Sequence, residues 1–341
     1  MEYTLAMGST TLKAKRHSIS AVVAALLLAC ASAHAFDLQG HRGARGLAPE
    51  NTLPGFATAL TTGVTTLELD VGVTRDGVVV VHHDRRLNPD IARGADRRWL
   101  TGSARTIDEM TLAELQRVDV GRIRPGSTLS QRFTEQKRMD GVRIPTLASV
   151  FALARSAGNA SVRFNIETKL SPLAPDETPD PATFARAVLA AVDLASLRNR
   201  VSVQSFDWRT LAVVQQLAPE VPTVYLSSQQ PGFDTLSTKE GGASPWTGKR
   251  LADFASVPAM VKAAGGAVWS PDYRDLSREL VAQAHALGLK VIPWTVNLRE
   301  DMRRLVDWGV DGLITDYPDR GREVMAEKNL PLPAPTPVAA R

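Results

Sequence analysis

What most restricts the fold of this 341-residue chain is a regular alternation of strand-like and helix-like stretches after residue 35. Short β-rich runs at 36–40, 67–73, 162–169, 201–206, 222–226, 267–271, 290–297 and 311–316 are each followed, directly or after a loop, by a helical pattern. Leaving aside one hairpin arm, this gives eight strand–helix units over roughly 290 residues, and parallel strands joined by helices need both faces of their sheet covered. Eight units meet that need by closing on themselves, so the sequence predicts an α/β protein of the (β/α)8 TIM barrel class. An open, doubly wound sheet is the alternative closure. In the first unit the loop His41–Thr52 leads to a helix ending near Thr62, with Asn51 or Thr52 as its N-cap.

Two regions depart from the repeat. After the second strand, Asp76-Gly77 stands between β-rich runs, which predicts a hairpin. The run Val78–Val81 then returns antiparallel and carries His82 and His83 to positions opposite Leu69 and Asp70. Residues 85–143, rich in Arg, Gly and Ser with one short helical pattern near 111–118, read as an inserted segment or small cap within a barrel domain spanning 36–329. Beyond it, prolines at 331, 333, 335 and 337 predict an extended, disordered tail over 330–341.

Residues 1–35 read as a signal peptide. Lys13, Lys15 and Arg16 form a basic region, 19–29 is a short apolar run, and Ala33-His34-Ala35 is a small-x-small cleavage site. The run is too short for a spanning helix, so the expectation is export, periplasmic or secreted, with no stable membrane insertion. Leu27-Leu28-Ala29-Cys30 also resembles a lipoprotein box, in which Cys30 would carry the anchor. Cys30 is the sole cysteine, so cleavage after Ala35 leaves neither disulfides nor thiolate catalysis. A formal charge of +4 is too mild to imply nucleic acid as a partner, and nothing in the sequence specifies an oligomeric state.

The polar residues gather at strand ends, where barrel enzymes place their chemistry. In Leu67-Glu68-Leu69-Asp70-Val71-Gly72-Val73 the apolar residues share one face, and Glu68 and Asp70 share the other. Glu167 and Lys169 repeat that pattern on the third barrel strand, opposite Phe164 and Ile166. His41 and Arg42 end the first strand, Gln204 and Ser205 the fourth, and Trp294 lies on the seventh. Glu68, Asp70 and Glu167 form a hard oxygen set suited to Ca²⁺ or Mg²⁺ rather than zinc. Arg42 and Lys169 add positive charge that fits a phosphate, and histidines fit proton transfer near neutral pH. His285 lies in a helix and reads as structural. No Gly-x-Ser-x-Gly, Walker loop or His-Glu-x-x-His appears, which removes support for serine hydrolase, P-loop and zincin chemistry.

These blocks, taken in order, resemble one family. His41-Arg42-Gly43 with Pro49-Glu50-Asn51-Thr52, Glu68-Leu69-Asp70-Val71, Asp76-Gly77, His83-Asp84, Ile166-Glu167-Thr168-Lys169, Trp294-Thr295-Val296-Asn297 and Asp311–Asp316 resemble the glycerophosphodiester phosphodiesterases of exported bacterial type. The resemblance implies a distorted barrel with an insertion after the second strand. It implies metal-dependent hydrolysis of glycerophosphodiesters, small-molecule substrates, to glycerol 3-phosphate and an alcohol, through a cyclic phosphate or by direct attack of water. It implies Glu68, Asp70 and Glu167 as ligands of one divalent metal ion, with Ca²⁺ favoured over Mg²⁺ for an exported protein. His41 and His83 would be the acid–base pair. Arg42, Lys169, Trp294 and Glu50 would serve the substrate, Glu50 by touching it or by orienting His41 or Arg42. Alternation alone does not choose between His82 and His83; the family places the acting histidine before the aspartate, at His83, and leaves Asp84 to brace the loop. After His83-Asp84 the sequence Leu87-Asn88-Pro89-Asp90 departs from the family's usual Leu-Asp-Arg-Thr, which bears on the choice of alcohol. Two other functions compete: a phospholipase C- or D-like enzyme on intact lipid, with Trp246 and Phe254 in an apolar rim, and a non-catalytic ligand-binding barrel.

Overall fold

The computed structural model describes residues 1–4, 36–102 and 104–339. The expected signal peptide, including its cleavage site and Cys30, lies outside the described residues apart from 1–4.

Eight parallel strands form the barrel. They are β1 (Asp37–Gly40), β2 (Thr66–Val73), β4 (Arg163–Thr168), β5 (Val201–Ser205), β6 (Thr223–Ser227), β9 (Val268–Pro271), β10 (Lys290–Val291) and β11 (Gly312–Thr315). Three further strands stand off it: β3 (Val79–Val81), antiparallel to β2, and the small hairpin β7 (Gln229–Gln230) and β8 (Phe233–Asp234). The ladder runs β10-β9-β6-β5-β4-β2-β1-β11. Backbone hydrogen bonds across the remaining gap, Asp311 N to Val291 O (2.9 Å) and Ile314 N to Pro293 O (3.0 Å), bring its two ends together. The doubly wound alternative is thereby excluded.

The helices lie where the apolar patterns place them. α1 (Leu53–Thr62) starts at Thr52, whose side chain accepts the Gly55 N–H, so Thr52 rather than Asn51 is the N-cap. α4 (Leu147–Ser156) follows the insertion, which carries the short helices α2 (Leu112–Leu115) and α3 (Thr128–Arg132). The remaining outer helices are α5 (Pro181–Leu194), α6 (Trp208–Leu217), α7 (Val257–Ala263), α8 (Arg278–Ala286), α9 (Arg299–Trp308) and α10 (Pro318–Glu327). Among the described residues no helix is long and apolar enough to cross a membrane.

Alternation divides the barrel strands into two layers. Leu67, Leu69, Val71, Phe164, Ile166 and Val203 point outward and join the helices in one large core. The inward side chains differ from one half of the barrel to the other. On β6, β9 and β11 and just past β10 they include a small apolar cluster of Val224, Val268, Ile292 and Ile314, and the inward Ser270 hydroxyl is paired with the Ile292 carbonyl. On β1, β2, β4 and β5 they are polar and paired: Asn165 Nδ2 donates to Gln39 Oε1 (2.9 Å) and Gln204 Oε1 (2.8 Å), and Gln204 Nε2 donates to Glu68 Oε1 (2.7 Å). A buried amide is tolerated only when bonded, and this chain of amides ends on the carboxylate it serves.

The hairpin forms at Asp76-Gly77, pairing Val71 with Val81 and Val73 with Val79, and His82 N donates to Asp70 O at 3.0 Å. The inserted segment builds an apolar cluster from Leu87, Ile107, Met110 and Leu115, closed by Val80 of β3 and by Ile144 just past the segment. The C-terminal segment is extended but not disordered over 330–339. Thr336 N donates to Leu60 O (2.8 Å), Asn159 Nδ2 to Thr336 Oγ1 (3.0 Å) and Arg322 to Pro333 O (2.5 Å), while Leu330 and Val338 pack on the core. Alternate prolines already restrict the unfolded segment, so a few such contacts suffice to fix it.

Candidate active site

The site begins with strand register. Glu68 and Asp70 point inward from β2, and the β2–β4 ladder sets Glu68 opposite Asn165 and Asp70 opposite Glu167. One ligand oxygen from each of Glu68, Asp70 and Glu167 lies within 4.8 Å of the others, and all three residues are buried. Burial, with the neighbouring carboxylates, pushes Glu68 well above the usual carboxylate range and Glu167 up to about 7. Asp70 is also buried, but Arg42, His83 and Lys169 outweigh burial and hold its carboxyl below its ordinary value. Its Oδ2 accepts from Asn51 Nδ2 at 2.8 Å, whereas its buried Oδ1 has no hydrogen-bond partner among the described residues. Three crowded carboxylates with an orphaned oxygen fit a hard divalent cation, and no thiolate or imidazole belongs to the set.

Arg42 is held from three sides. Its φ of 51° is left-handed, which costs a side-chain-bearing residue about 1–2 kcal/mol. Its N–H donates to Glu68 Oε2 at 2.8 Å, so the turn that strains Arg42 also orients Glu68. The next residue, Gly43, has φ 88°, and a Cβ there would lie 2.7 Å from the Gly55 backbone. That contact explains glycine at the third position of the block. The Arg42 side chain donates to Glu50 Oε1 (2.7 Å) and stands 3.2 Å from Asp70 Oδ2. Although burial opposes its charge, Glu50 and Asp70 hold the guanidinium more firmly protonated than usual. Glu50 also accepts from Arg45 Nε at 2.5 Å. It sits behind the two arginines and does not line the cavity, so of the roles expected for it the geometry supports bracing Arg42.

His41 and His83 both line that cavity, of about 490 Å³, together with Arg42, Glu68, Glu167, Lys169 and Trp294. His82 is buried and absent from its wall, so of the two adjacent histidines His83 is the one that faces the cavity. Each lining histidine has a carboxylate on Nδ1: Asp316 Oδ1 at 2.5 Å from His41 and Asp84 Oδ1 at 2.7 Å from His83. His41 and Arg45 hold Asp316 ionised against its burial, and a carboxylate can only accept, so the Nδ1 proton belongs to His41. Nε2 is then free to exchange a proton. Burial, followed by Arg42 and Lys169, lowers His83 to about 4; burial also lowers His41, with Asp316 opposing. Lys169 Nζ lies 2.5 Å from Glu167 Oε1 and 3.7 Å from Asp70 Oδ1. Trp294 Nε1 donates to Ser270 O at 2.9 Å, which fixes the indole in the wall.

Several contributors carried no role, or a lesser one, in the sequence reading. Asp316 braces His41 and is itself held by Asn297, whose Nδ2 donates to Asp316 Oδ2 (2.7 Å) while its Oδ1 accepts from Asp316 N (3.0 Å). The signal was an acid directly after the last strand, at the barrel end where His41 lies. Asp84 both orients His83 and accepts from Asn88 Nδ2 at 2.8 Å, so it does more than brace its loop. Gln39 and Asn165 support Glu68 through Gln204, a role set by neighbours across the barrel that spacing along the chain does not reveal.

Comparison with known proteins agrees with this geometry. The sequence profile of the glycerophosphoryl diester phosphodiesterase family matches residues 41–320. A glycerophosphodiester phosphodiesterase of Bacillus subtilis is 32% identical over 284 residues, covering 82% of this chain and 83% of that protein. One from Caldanaerobacter subterraneus is 30% identical and covers 82% of this chain and 93% of its own. A solved Silicibacter pomeroyi protein, provisionally named a glycerophosphoryl diester phosphodiesterase, superposes with a TM-score of 0.76 at 38% identity, over 87% of this chain and 95% of that one.

Proposed function

This chain belongs to the glycerophosphoryl diester phosphodiesterase family and is a phosphoric diester hydrolase, and on that premise we propose how its residues divide the work. Glu68, Asp70 and Glu167 hold one divalent cation, Ca²⁺ in preference to Mg²⁺. Arg42 and Lys169 bind the phosphate, and His41 and His83 move the protons. The observation that carries this reading is a cluster of three buried carboxylates, two of which (Glu68 and Glu167) line the same cavity as two histidines with carboxylate-held Nδ1 atoms.

When bound, the cation neutralises phosphate oxygens and so makes phosphorus easier to attack. Arg42 is fixed by Glu50 and Asp70 before substrate arrives, so its charge is preorganised. One histidine takes the proton from the 2-hydroxyl of the glycerol arm as that oxygen bonds to phosphorus. The other gives its Nε2 proton to the departing alcohol oxygen as the old P–O bond breaks. The product of this step is a cyclic phosphate and a free alcohol. In the second step water attacks the cyclic phosphate, the two histidines exchange roles, and glycerol 3-phosphate leaves. We further propose that the protein is exported and acts outside the cytoplasm, where Ca²⁺ is plentiful.

The test is release of glycerol 3-phosphate from glycerophosphocholine by EDTA-stripped protein given back Ca²⁺ or Mg²⁺. Metal-dependent release with Ca²⁺ the better ion is expected, and a transient cyclic phosphate should be trapped at early times. Full activity after stripping would overturn the metal assignment. Turnover of intact phospholipid alone would replace this reading with the phospholipase one.

A further inference from the structure

A second cavity, of about 450 Å³, adjoins the phosphate cavity and shares His83, Glu167, Lys169, Phe206 and Trp294 with it. A diester bound at Lys169 sends two arms away from phosphorus, and this space adjoins the phosphate site to receive one of them. One side of the cavity is aromatic. Phe206, directly after β5, packs perpendicular to Trp294 at 5.3 Å and to Phe233 at 5.0 Å, and Trp246 stands 5.9 Å from Phe233. Phe233 and Trp246 come from the long loop after β6, and Phe233 keeps 41% of its surface exposed. Lys169 Nζ already lies 5.9 Å from the Phe206 ring centre, so a cation stands on this wall where the two cavities meet.

The carboxylates around the same space already have partners. Glu177 accepts from Arg85 Nε (2.7 Å) and Arg86 Nε (2.9 Å). Asp84 accepts from His83 and Asn88, and Glu167 from Lys169. The lining carboxylates Asp84, Glu167 and Glu177 thus balance Arg85, Arg86 and Lys169 in charge, and each already accepts hydrogen bonds from this chain. A primary ammonium or a polyol entering here loses water and meets only carboxylates already committed to this chain's own donors, so its N–H or O–H groups regain less than they give up. A quaternary ammonium has no such hydrogens, and aromatic rings attract its diffuse charge.

We propose that this cavity is the subsite for the diester's alcohol arm and that it selects a quaternary ammonium alcohol over a primary ammonium alcohol or a polyol. The inference rests on the phosphodiesterase reading above and adds the class of leaving alcohol. Phe233 and Trp246, apart from the proton-transfer and phosphate-binding groups, are the residues that set the preference.

The experiment compares kcat/KM for four esters of glycerol 3-phosphate: with choline, with 3,3-dimethylbutanol (its uncharged carbon isostere), with ethanolamine and with glycerol. Choline is expected to be the best of the four, about 3- to 30-fold above its isostere, the range typical of cation–π attraction. Phe233→Leu and Trp246→Leu keep apolar bulk but remove the π system. Each should bring the choline-to-isostere ratio toward one, mainly through KM. An isostere hydrolysed as well as choline, a preference for ethanolamine or glycerol, or a ratio unmoved in both leucine variants would overturn the subsite. Failure to cleave any of the four with either metal is a different result; it removes the phosphodiesterase reading and this inference with it.

Discussion

Replacing Asp316 with asparagine should cost far more activity than an isosteric change of one atom suggests, and the surrounding hydrogen bonds say why. Asn297 cannot turn: its Oδ1 accepts from Asp316 N (3.0 Å) and Thr315 Oγ1 (3.3 Å), so its Nδ2 must face position 316, where it now meets Oδ2 at 2.7 Å. In Asp316→Asn the new amide therefore puts its oxygen toward Asn297 and its NH₂ toward His41 Nδ1, now 2.5 Å from Oδ1. Two donors cannot share that contact, so the imidazole proton moves to Nε2 and His41 can no longer accept there. Flipping the amide instead sets NH₂ against NH₂ at a fully buried position, at a cost of about 1–3 kcal/mol, which leaves roughly one molecule in 5 to 150 with the working tautomer. The variant also loses the negative charge that stabilises a protonated His41. The combined fall in kcat should reach about 10²–10⁴-fold, bounded by the loss in His41→Ala. KM, metal affinity and thermal stability should change little, because Asp316 lines neither the phosphate cavity nor the carboxylate cluster. Steady-state kinetics beside a melting curve and a metal titration would separate these effects. A folded, metal-loaded Asp316→Asn within threefold of the native kcat would refute the tautomer argument and, with it, proton transfer through His41.

Three further outcomes follow from the same geometry. Gln204→Leu removes the donor to Glu68 Oε1 without touching a ligand atom, and metal affinity by chelator competition should fall about 10–100-fold. Glu50→Gln leaves buried Arg45 with a neutral acceptor and Arg42 with Asp70 as its remaining close carboxylate, so urea unfolding should show a loss of up to about 3–5 kcal/mol, with a raised KM from a loosened Arg42. His83 titrates near 4 folded and near 6.5 unfolded, so the unfolded chain takes its proton first as pH drops. Stability of the metal-free protein should therefore rise with pH between 4 and 6.5, and His83→Gln should flatten that slope by at most about 3 kcal/mol, less for the 28% exposure of the side chain.

The sequence made the barrel legible because each strand–helix unit carries its own local signals. Thr52, Thr146 and Ser277 cap helices where helical patterns begin, and Asp76-Gly77 turns the hairpin. The nine residues singled out for chemistry were legible as polar side chains at strand ends and loops, and eight of them line the site cavity or place an oxygen in the carboxylate cluster. Glu50 was legible as a charge in the first loop, but its partners Arg42 and Arg45 are fixed by a left-handed turn that no spacing rule specifies. The tail misled because proline-rich composition reports only how an unfolded segment behaves, and says nothing of the Leu60 carbonyl or the Asn159 amide waiting for Thr336.

The division of the barrel interior explains why buried acids persist here at all. A carboxylate inside an ordinary parallel sheet would protonate or destabilise the fold. Here Gln39, Asn165 and Gln204 replace the expected apolar interior over half the circumference and hand one donated hydrogen bond upward to Glu68. The apolar half, Val224, Val268, Ile292 and Ile314, keeps the core filled and carries no ionisable group. Glu68 and Glu167 are nonetheless raised in pKa, so this support is incomplete without added positive charge. Arg42 and Lys169 supply part of it, yet among the described residues Asp70 Oδ1 still has no donor. The amide column therefore acts to position Glu68 rather than to satisfy the acids, and the remaining deficit is the free energy available for holding a cation between them.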